Sequence, residues 1–257
     1  LLSLPASAQE CSSTENIRKE WKLAWKDEFN GNKLNLKNWT RYTRDGKSDW
    51  DRHMSGLDSL CRVENGVLQL WGINTPEGYK DEDNRPFLTG GVGSKGKRSV
   101  KNGRFEVRAR YDCGEGFWPA IWLMPDIRIR HPFGGEVDIM EHLNNDNVVF
   151  QTVHTPHTLY KREPTIQHYV TVPIKKDEFN TYAVELSDSE VTFYVNGEKT
   201  LTYKNQEPEL EGQFPFYHYP FYVILSAQLG GSWVGNVGPQ DLPVKMEIDY
   251  VRVYERR

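Results

Sequence analysis

The run Gly103-Arg-Phe-Glu-Val-Arg-Ala-Arg-Tyr111 alternates without a break. Phe105, Val107, Ala109 and Tyr111 fall on one face of an extended chain, and Arg104, Glu106, Arg108 and Arg110 on the other. Successive side chains of a strand point to opposite faces, so a period of two calls for a sheet that buries one side. Further short β-rich runs are Arg62–Trp71, Tyr182–Leu186, Val191–Val195, Lys199–Tyr203 and Met246–Tyr254. Asn65-Gly66 and Asn196-Gly197 are hairpin signals between such runs. Phe221–Ser226 is apolar enough to be buried on both faces. In Met246–Tyr254, alternation places Met246, Ile248, Tyr250 and Arg252 opposite Glu247, Asp249, Val251 and Val253. Helical signals are scarce, the best being Thr14–Trp21. Many short strands spaced by turns predict an all-β fold of two packed antiparallel sheets.

At 257 residues, one large domain with an ample core is within reach, and neither a repeat nor a linker divides the chain. The net charge is -4 with no block of five or six like charges, so nucleic-acid binding through a broad basic surface is not expected. No run of eighteen apolar residues occurs, and no membrane span is expected. The opening Leu1–Ala8 resembles the end of a secretory signal, with Ala6-Ser-Ala8 as a cleavage site but no positively charged start. Residues 1–19 are read as a signal remnant and extension, and residues 20–257 as a single β-sandwich domain, secreted, periplasmic or on the cell surface. Cys11 raises the idea of a lipid anchor, for which Gln9-Glu10 are poor neighbours. Cys11, Cys61 and Cys113 form at most one bridge, and their spacing excludes a zinc motif; buried free thiols are expected.

Glu136-Val-Asp-Ile-Met-Glu141 sets three carboxylates into an otherwise apolar run. Glu136 and Asp138 share a strand face, whereas Glu141, five residues on, would point the other way. One extra residue, a β-bulge around Ile139-Met140, returns Glu141 to the face of the other two. Crowded acids repel, and repulsion separates their pKa values, keeping one protonated while another is ionised. Glycoside hydrolysis needs that pair of states, a nucleophile and an acid/base. A solvated acidic edge or a cation site is the competing local reading.

Aromatic residues make up 12% of the chain, with eight tryptophans. Aromatic faces pack either in cores or against the C–H face of a sugar ring. Trp118 and Trp122 lie in phase on a short run leading to the acids, and Trp50 sits in the polar stretch Asp49-Trp-Asp-Arg-His53. Arg128 and Arg130 just before the acids are either solvated or a clamp for an anionic group. His154 is either a structural histidine or a partner of Glu141 or substrate. His142, His154 and His157 with the acids would also make a metal set, which the regular spacing of the acids disfavours.

Gly135-Glu-Val-Asp-Ile-Met-Glu-His142 resembles the bulge-containing catalytic motif of glycoside hydrolase family 16, which includes laminarinases, mixed-linkage glucanases, agarases and porphyranases. Trp25–Gly31, Thr89–Ser94, Gly103–Arg108, Gly116–Trp122, Pro220–Ser226, Leu229–Trp233 and Ile248–Tyr254 resemble further blocks of that family in order. The resemblance implies a concanavalin-like β-jelly-roll sandwich with an open cleft on its concave sheet, and endo-hydrolysis of a polysaccharide with retention of configuration. It implies Glu136 as nucleophile, Glu141 as acid/base and Asp138 as the residue that orients the nucleophile and shares its proton. Retention needs carboxyls about 5–5.5 Å apart. The α-carbons lie about 13 Å apart along a strand, so the side chains must lean together. No catalytic cofactor is implied; a structural calcium is, with Asp249 as its acidic ligand or else a plain surface residue. A monomer is expected.

Where glucan-cleaving members carry Trp-Pro before the motif, this chain has His131-Pro132, preceded by Arg130. That departure resembles porphyranases, so the leading expectation is a sulfated or agar-type galactan, with Arg130, His131 and Arg52 as polar contacts and Trp50, Trp118, Trp122 and His154 lining the cleft. An endo-β-1,3- or mixed-linkage glucanase is the alternative. A non-catalytic carbohydrate-binding protein would share the sandwich but has no reason to crowd three acids, and a transglycosylase would share the intermediate.

Overall fold

The structure, a computed structural model, describes residues 20–79, 84–161 and 166–257. Its strands are β1 (Trp21–Asp27), β2 (Thr40–Arg41), β3 (Cys61–Glu64), β4 (Val67–Asn74), β5 (Phe87–Thr89), β6 (Gly91–Gly93), β7 (Gly103–Tyr111) and β8 (Phe117–Pro125). They continue as β9 (Glu136–Glu141), β10 (Val148–His154), β11 (Tyr169–Pro173), β12 (Asn180–Leu186), β13 (Glu190–Val195), β14 (Glu198–Lys204), β15 (Phe221–Leu229) and β16 (Val244–Arg256). One five-residue α-helix, Pro156–Tyr160, follows β10, started by Thr155 and Thr158 side chains that cap each other's backbone.

Two antiparallel sheets form a jelly-roll-like sandwich. One runs β14-β13-β12-β7-β16-β4-β3, with β1 paired to β16 and β5 to β4. The other runs β11-β10-β9-β8-β15-β6-β2 and carries the acids on β9. The alternation in β7 does what it demands: Phe105, Val107 and Ala109 are buried in a single core with Val251 and Val253 of β16, Ile121 and Leu123 of β8, Val137 of β9, and Val223 and Leu225 of β15. Arg104 on the opposite face is itself nearly enclosed, bonded to Glu106 and Glu185. The Asn65-Gly66 and Asn196-Gly197 turns have φ of 54° and 77°, and 52° and 84°, the doubly left-handed geometry that suits a two-residue hairpin. β15 is buried along all nine residues, because the core takes one face and an aromatic layer covers the other.

Two expectations change, and the expected free thiols differ only in that Cys113 is half-buried. Simple alternation fails in β16: its pairing with β7 shifts between Ile248 and Tyr250, so Met246 and Ile248 point inward and then Val251 and Val253 do. A bulge thus rescues two valines that strict alternation would have left with Glu247 and Asp249. Trp21 begins β1 instead of ending a helix, and residues 14–19 of that expected helix, like the signal remnant and Cys11, lie outside the described residues. Cys61 and Cys113 are free thiols, with Cys61 buried and Cys113 half-buried; burial pushes Cys61 up to about 12.

Candidate active site

β9 carries two successive inward residues. Its pairing with β8 runs Ala120 to Glu141 and Ile121 to Met140, then jumps to Trp122 with Asp138. Its pairing with β10 jumps likewise, from Phe150 with Glu141 to Thr152 with Asp138. Ile139 and Met140 are both fully buried in the core, so the strand spends an extra residue there and Glu141 emerges on the face of Glu136 and Asp138. Gly135 leads into the strand at φ 78°, and a Cβ there would lie 2.5 Å from the Phe216 ring, so glycine is what lets the strand that carries Glu136 start this close to the core.

The three acids face a cavity of about 400 Å³ on the outer face of the second sheet. β8 contributes Trp118, Ala120, Trp122 and Met124, every second residue, and β15 contributes Tyr222, Ile224 and Gln228. Loop residues Tyr42, Ser48, Trp50 and His131 complete the walls. Trp50 stands edge-on to Trp122 at 5.0 Å and to Tyr42 at 5.3 Å, so these rings brace one another as well as line the cleft. Trp122 donates to Ser226, which also receives the Gln228 amide.

Each carboxyl has a different setting. Burial acts to raise Glu136, but a hydrogen bond from His131, the nearby imidazoles of His154 and His131, and a hydrogen bond with Asp138 hold it below the ordinary glutamate range. The His131 Nε2 lies 2.6 Å from Glu136 Oε2. Asp138, 3% exposed, is driven well above its usual range by burial and by the neighbouring Glu136 charge. The direction is clear: Asp138 keeps its proton and gives a hydrogen bond to an ionised Glu136. Glu141 is also raised well above its usual range, first by burial and then by the neighbouring acids Asp138 and Glu136, while the Trp118 indole donates to its Oε1 at 3.0 Å. The strand therefore pairs a carboxyl held low, Glu136, with one held high, Glu141, while Asp138 between them hydrogen-bonds Glu136.

Trp50, Trp118, Trp122 and His131 line the acid-bearing cavity. His154 reaches Asp138, Nε2 to Oδ2 at 3.3 Å, and not Glu141 as one expectation had it, because β10 sets His154 opposite Glu136. Arg130 is exposed and outside the cavity lining, and Arg52 lines a different pocket, bonded to Asp49. No arginine or lysine lines the cleft among the described residues. Tyr42, Tyr222, Gln228 and Ser226 were missed by sequence reasoning; an all-apolar run such as Phe221–Ser226 shows no period that would assign its faces. Trp233, exposed and edge-on to Trp118 at 5.4 Å, flanks the acid/base side.

For a metal, the donors group poorly. His142 turns into the fold against Tyr111 and bonds the Asp146 carbonyl, so it does not join His154 and His157. Glu136, Asp138 and His154 bring ligand atoms within 4.8 Å of one another, yet one of these acids is protonated. Asp249 is bonded by the Arg108 guanidinium at 2.5 Å, and no second acid joins it in a metal-like group among the described residues. A guanidinium already supplies positive charge beside this carboxylate.

The family model for glycosyl hydrolases family 16 matches residues 55–252. The chain is 33% identical over 255 residues to a keratan-sulfate endo-1,4-beta-galactosidase of Sphingobacterium multivorum, covering 97% of this chain and 59% of that protein. The chain thus spans about three-fifths of that relative's length. The laminarinase of Rhodothermus marinus superposes with a TM-score of 0.82 at 30% identity, covering 92% of this chain and 98% of that one. A structure described among endo-acting O-glycanases with which prominent members of the human gut microbiota initiate mucin breakdown superposes with a TM-score of 0.78 at 30% identity, covering 90% and 98%.

Proposed function

The chain belongs to glycosyl hydrolase family 16 and is an endo-acting glycoside hydrolase, and we propose that it cuts a β-galactosidic linkage inside a galactose-containing polysaccharide, with retention of configuration. Glu136 attacks the anomeric carbon while Glu141 delivers its proton to the departing glycosidic oxygen. Water then attacks the glycosyl ester on Glu136, and Glu141, now ionised, takes the water proton. Asp138 donates a hydrogen bond that keeps Glu136 oriented and ionised before attack, and Trp118 holds the Glu141 carboxyl on its target.

His131 carries the substrate reading. Its imidazole lines the cleft beside the nucleophile, where the family resemblance places an indole in glucan-cleaving members. A glucosyl ring is flat on both faces and stacks on an indole from either side; a galactosyl ring carries an axial hydroxyl on one face, and a polar imidazole on that side can hydrogen-bond it. Similarity to an enzyme named for β-galactoside cleavage in keratan sulfate agrees with this. The sulfate clamp expected of Arg130 has no support, since that side chain stays outside the cleft. A β-glucan is the second reading, favoured by the tryptophan-rich walls and the likeness to a laminarinase.

The test is reducing-end release on keratan sulfate, agarose, porphyran, laminarin and barley mixed-linkage glucan, with Glu136→Gln as the inactive control. Cleavage of one or more of the galactose-containing polymers, and of neither glucan, is expected. Cleavage of the glucans alone would overturn the galactan reading and leave the acid chemistry standing.

A further inference from the structure

A second pocket, about 330 Å³, lies beside the cleft and is chemically its opposite. Arg52, His53 and Arg85 line it with Phe87, against the glycine-rich turn at Gly230, Gly231 and Gly235. The two cavities share a wall: Trp50 faces the cleft and Arg52 faces this pocket from the same loop. Asp49, just ahead of Trp50 in the same loop, bonds Arg52 and accepts the Ser232 backbone N–H at 2.7 Å, tying the wall to the turn that carries Trp233. Trp233 in turn packs on Trp118, the residue that holds the acid/base.

Positive charge in this pocket is only partly compensated. Asp49 answers Arg52, but no carboxylate pairs with Arg85 among the described residues, and its Nε is buried without a hydrogen-bond partner. His53 is 7% exposed, and its Nδ1 is also unpartnered. Burial, and then the charges of Arg85, Arg52 and Arg44, hold that imidazole down at about 4, so it sits neutral in a cationic setting. Unsatisfied buried donors are costly, and a guanidinium with no carboxylate partner among the described residues, lining a recess, is a ready partner for an anion.

We infer that the Arg52–His53–Arg85 pocket is a subsite for an anionic substituent, a sulfate ester or a carboxylate, carried by a sugar unit next to those in the cleft. The cleft binds an uncharged stretch of the chain at the cleavage point, and the neighbouring pocket reads the charge. This rests on the substrate being a polysaccharide, whichever backbone it has.

The test measures kcat/KM on the backbone that the enzyme cleaves, prepared neutral, O-sulfated and carboxymethylated, for the wild type, Arg85→Ala and Arg85→Lys. The anionic form is expected to be favoured by about tenfold, mostly through KM, equivalent to about 1.4 kcal/mol. Added salt should erode that preference. Arg85→Ala should abolish it while leaving the neutral polymer's rate within about twofold, and Arg85→Lys should keep part of it. Preference for the sulfated or for the carboxymethylated form identifies the source of the anion, and either supports the subsite. Equal cleavage of neutral and anionic forms, or an equal loss on both in a folded Arg85→Ala, would overturn it. Binding of the same polymers to Glu136→Gln gives an independent reading if Arg85→Ala fails to fold. Running the series on both galactan and glucan separates failure of this subsite from failure of the galactan assignment.

Discussion

Glu136 and Glu141 are the same residue type on the same strand, yet their surroundings send them in opposite directions. The difference is hydrogen bonding to the charged form: Glu136 receives His131 and Asp138, whereas Glu141 has one indole donor against burial and a neighbouring acid. His131 is therefore a hydrogen-bond partner of Glu136 as well as a cleft wall. In His131→Ala the loss of that bond should raise the Glu136 carboxyl and move the acidic limb of the pH–kcat/KM profile to higher pH. The rate at the optimum should fall about ten- to a hundredfold, the worth of a hydrogen bond to a charged group. A profile measured across the acidic range checks it; an unmoved acidic limb would mean that His131 only shapes the cleft. Sequence showed His131 as a departure from the glucanase pattern, but its bond to Glu136 depends on how the loop 126–135 folds back, and no local pattern encodes that.

At the scale of elements, two bulges do most of the positioning. The one in β9 was legible, because acids five residues apart share a face only with one extra residue between them. The one in β16 was not, because Met246–Tyr254 has apolar residues on both phases and strict alternation is a self-consistent alternative. What decides it is the partner strand: β7 presents a single apolar face, and β16 must match it on both sides of the shift. The β9 bulge makes a direct prediction. Ile139→Ala and Met140→Ala should each cost about 2–5 kcal/mol, since both side chains are in the core. In a regular strand one of two neighbours would face the cleft and tolerate truncation. Urea denaturation of the two variants checks this, and a near-neutral result for either would mean the strand is regular there.

For the whole molecule, the active site is a stability liability with a definite pH signature. Asp138 and Glu141 have raised folded-state values, so their contribution is fully present below the unfolded carboxyl range, about pH 4, and is lost as pH rises through the folded value. Glu136 has the opposite sign: its contribution is present above that range and lost as pH falls through its lowered value. Glu141→Gln removes an acid that burial keeps from ionising. Its melting temperature should exceed the wild type's near pH 8, by about 2–4 °C for each kcal/mol relieved, with the gain vanishing near pH 4. Thermal melts at the two pH values check the sign, and a gain that grew on acidification would overturn it.

The sequence by itself determined the sandwich and the strand face that the three acids share. Period-two alternation, hairpin dipeptides and the spacing of three acids are local signals, and backbone geometry alone translates them into faces. Which charges reach the cleft was decided only by the tertiary structure. Arg130 and His131 are adjacent in the chain, yet one is solvated and the other bonds Glu136; Trp50 and Arg52 share a loop, yet open into different cavities. The physical reason is that loops carry no period. Their side chains take directions from the strands and turns they pack against, as Asp49 does against Ser232, and those partners lie more than a hundred residues away.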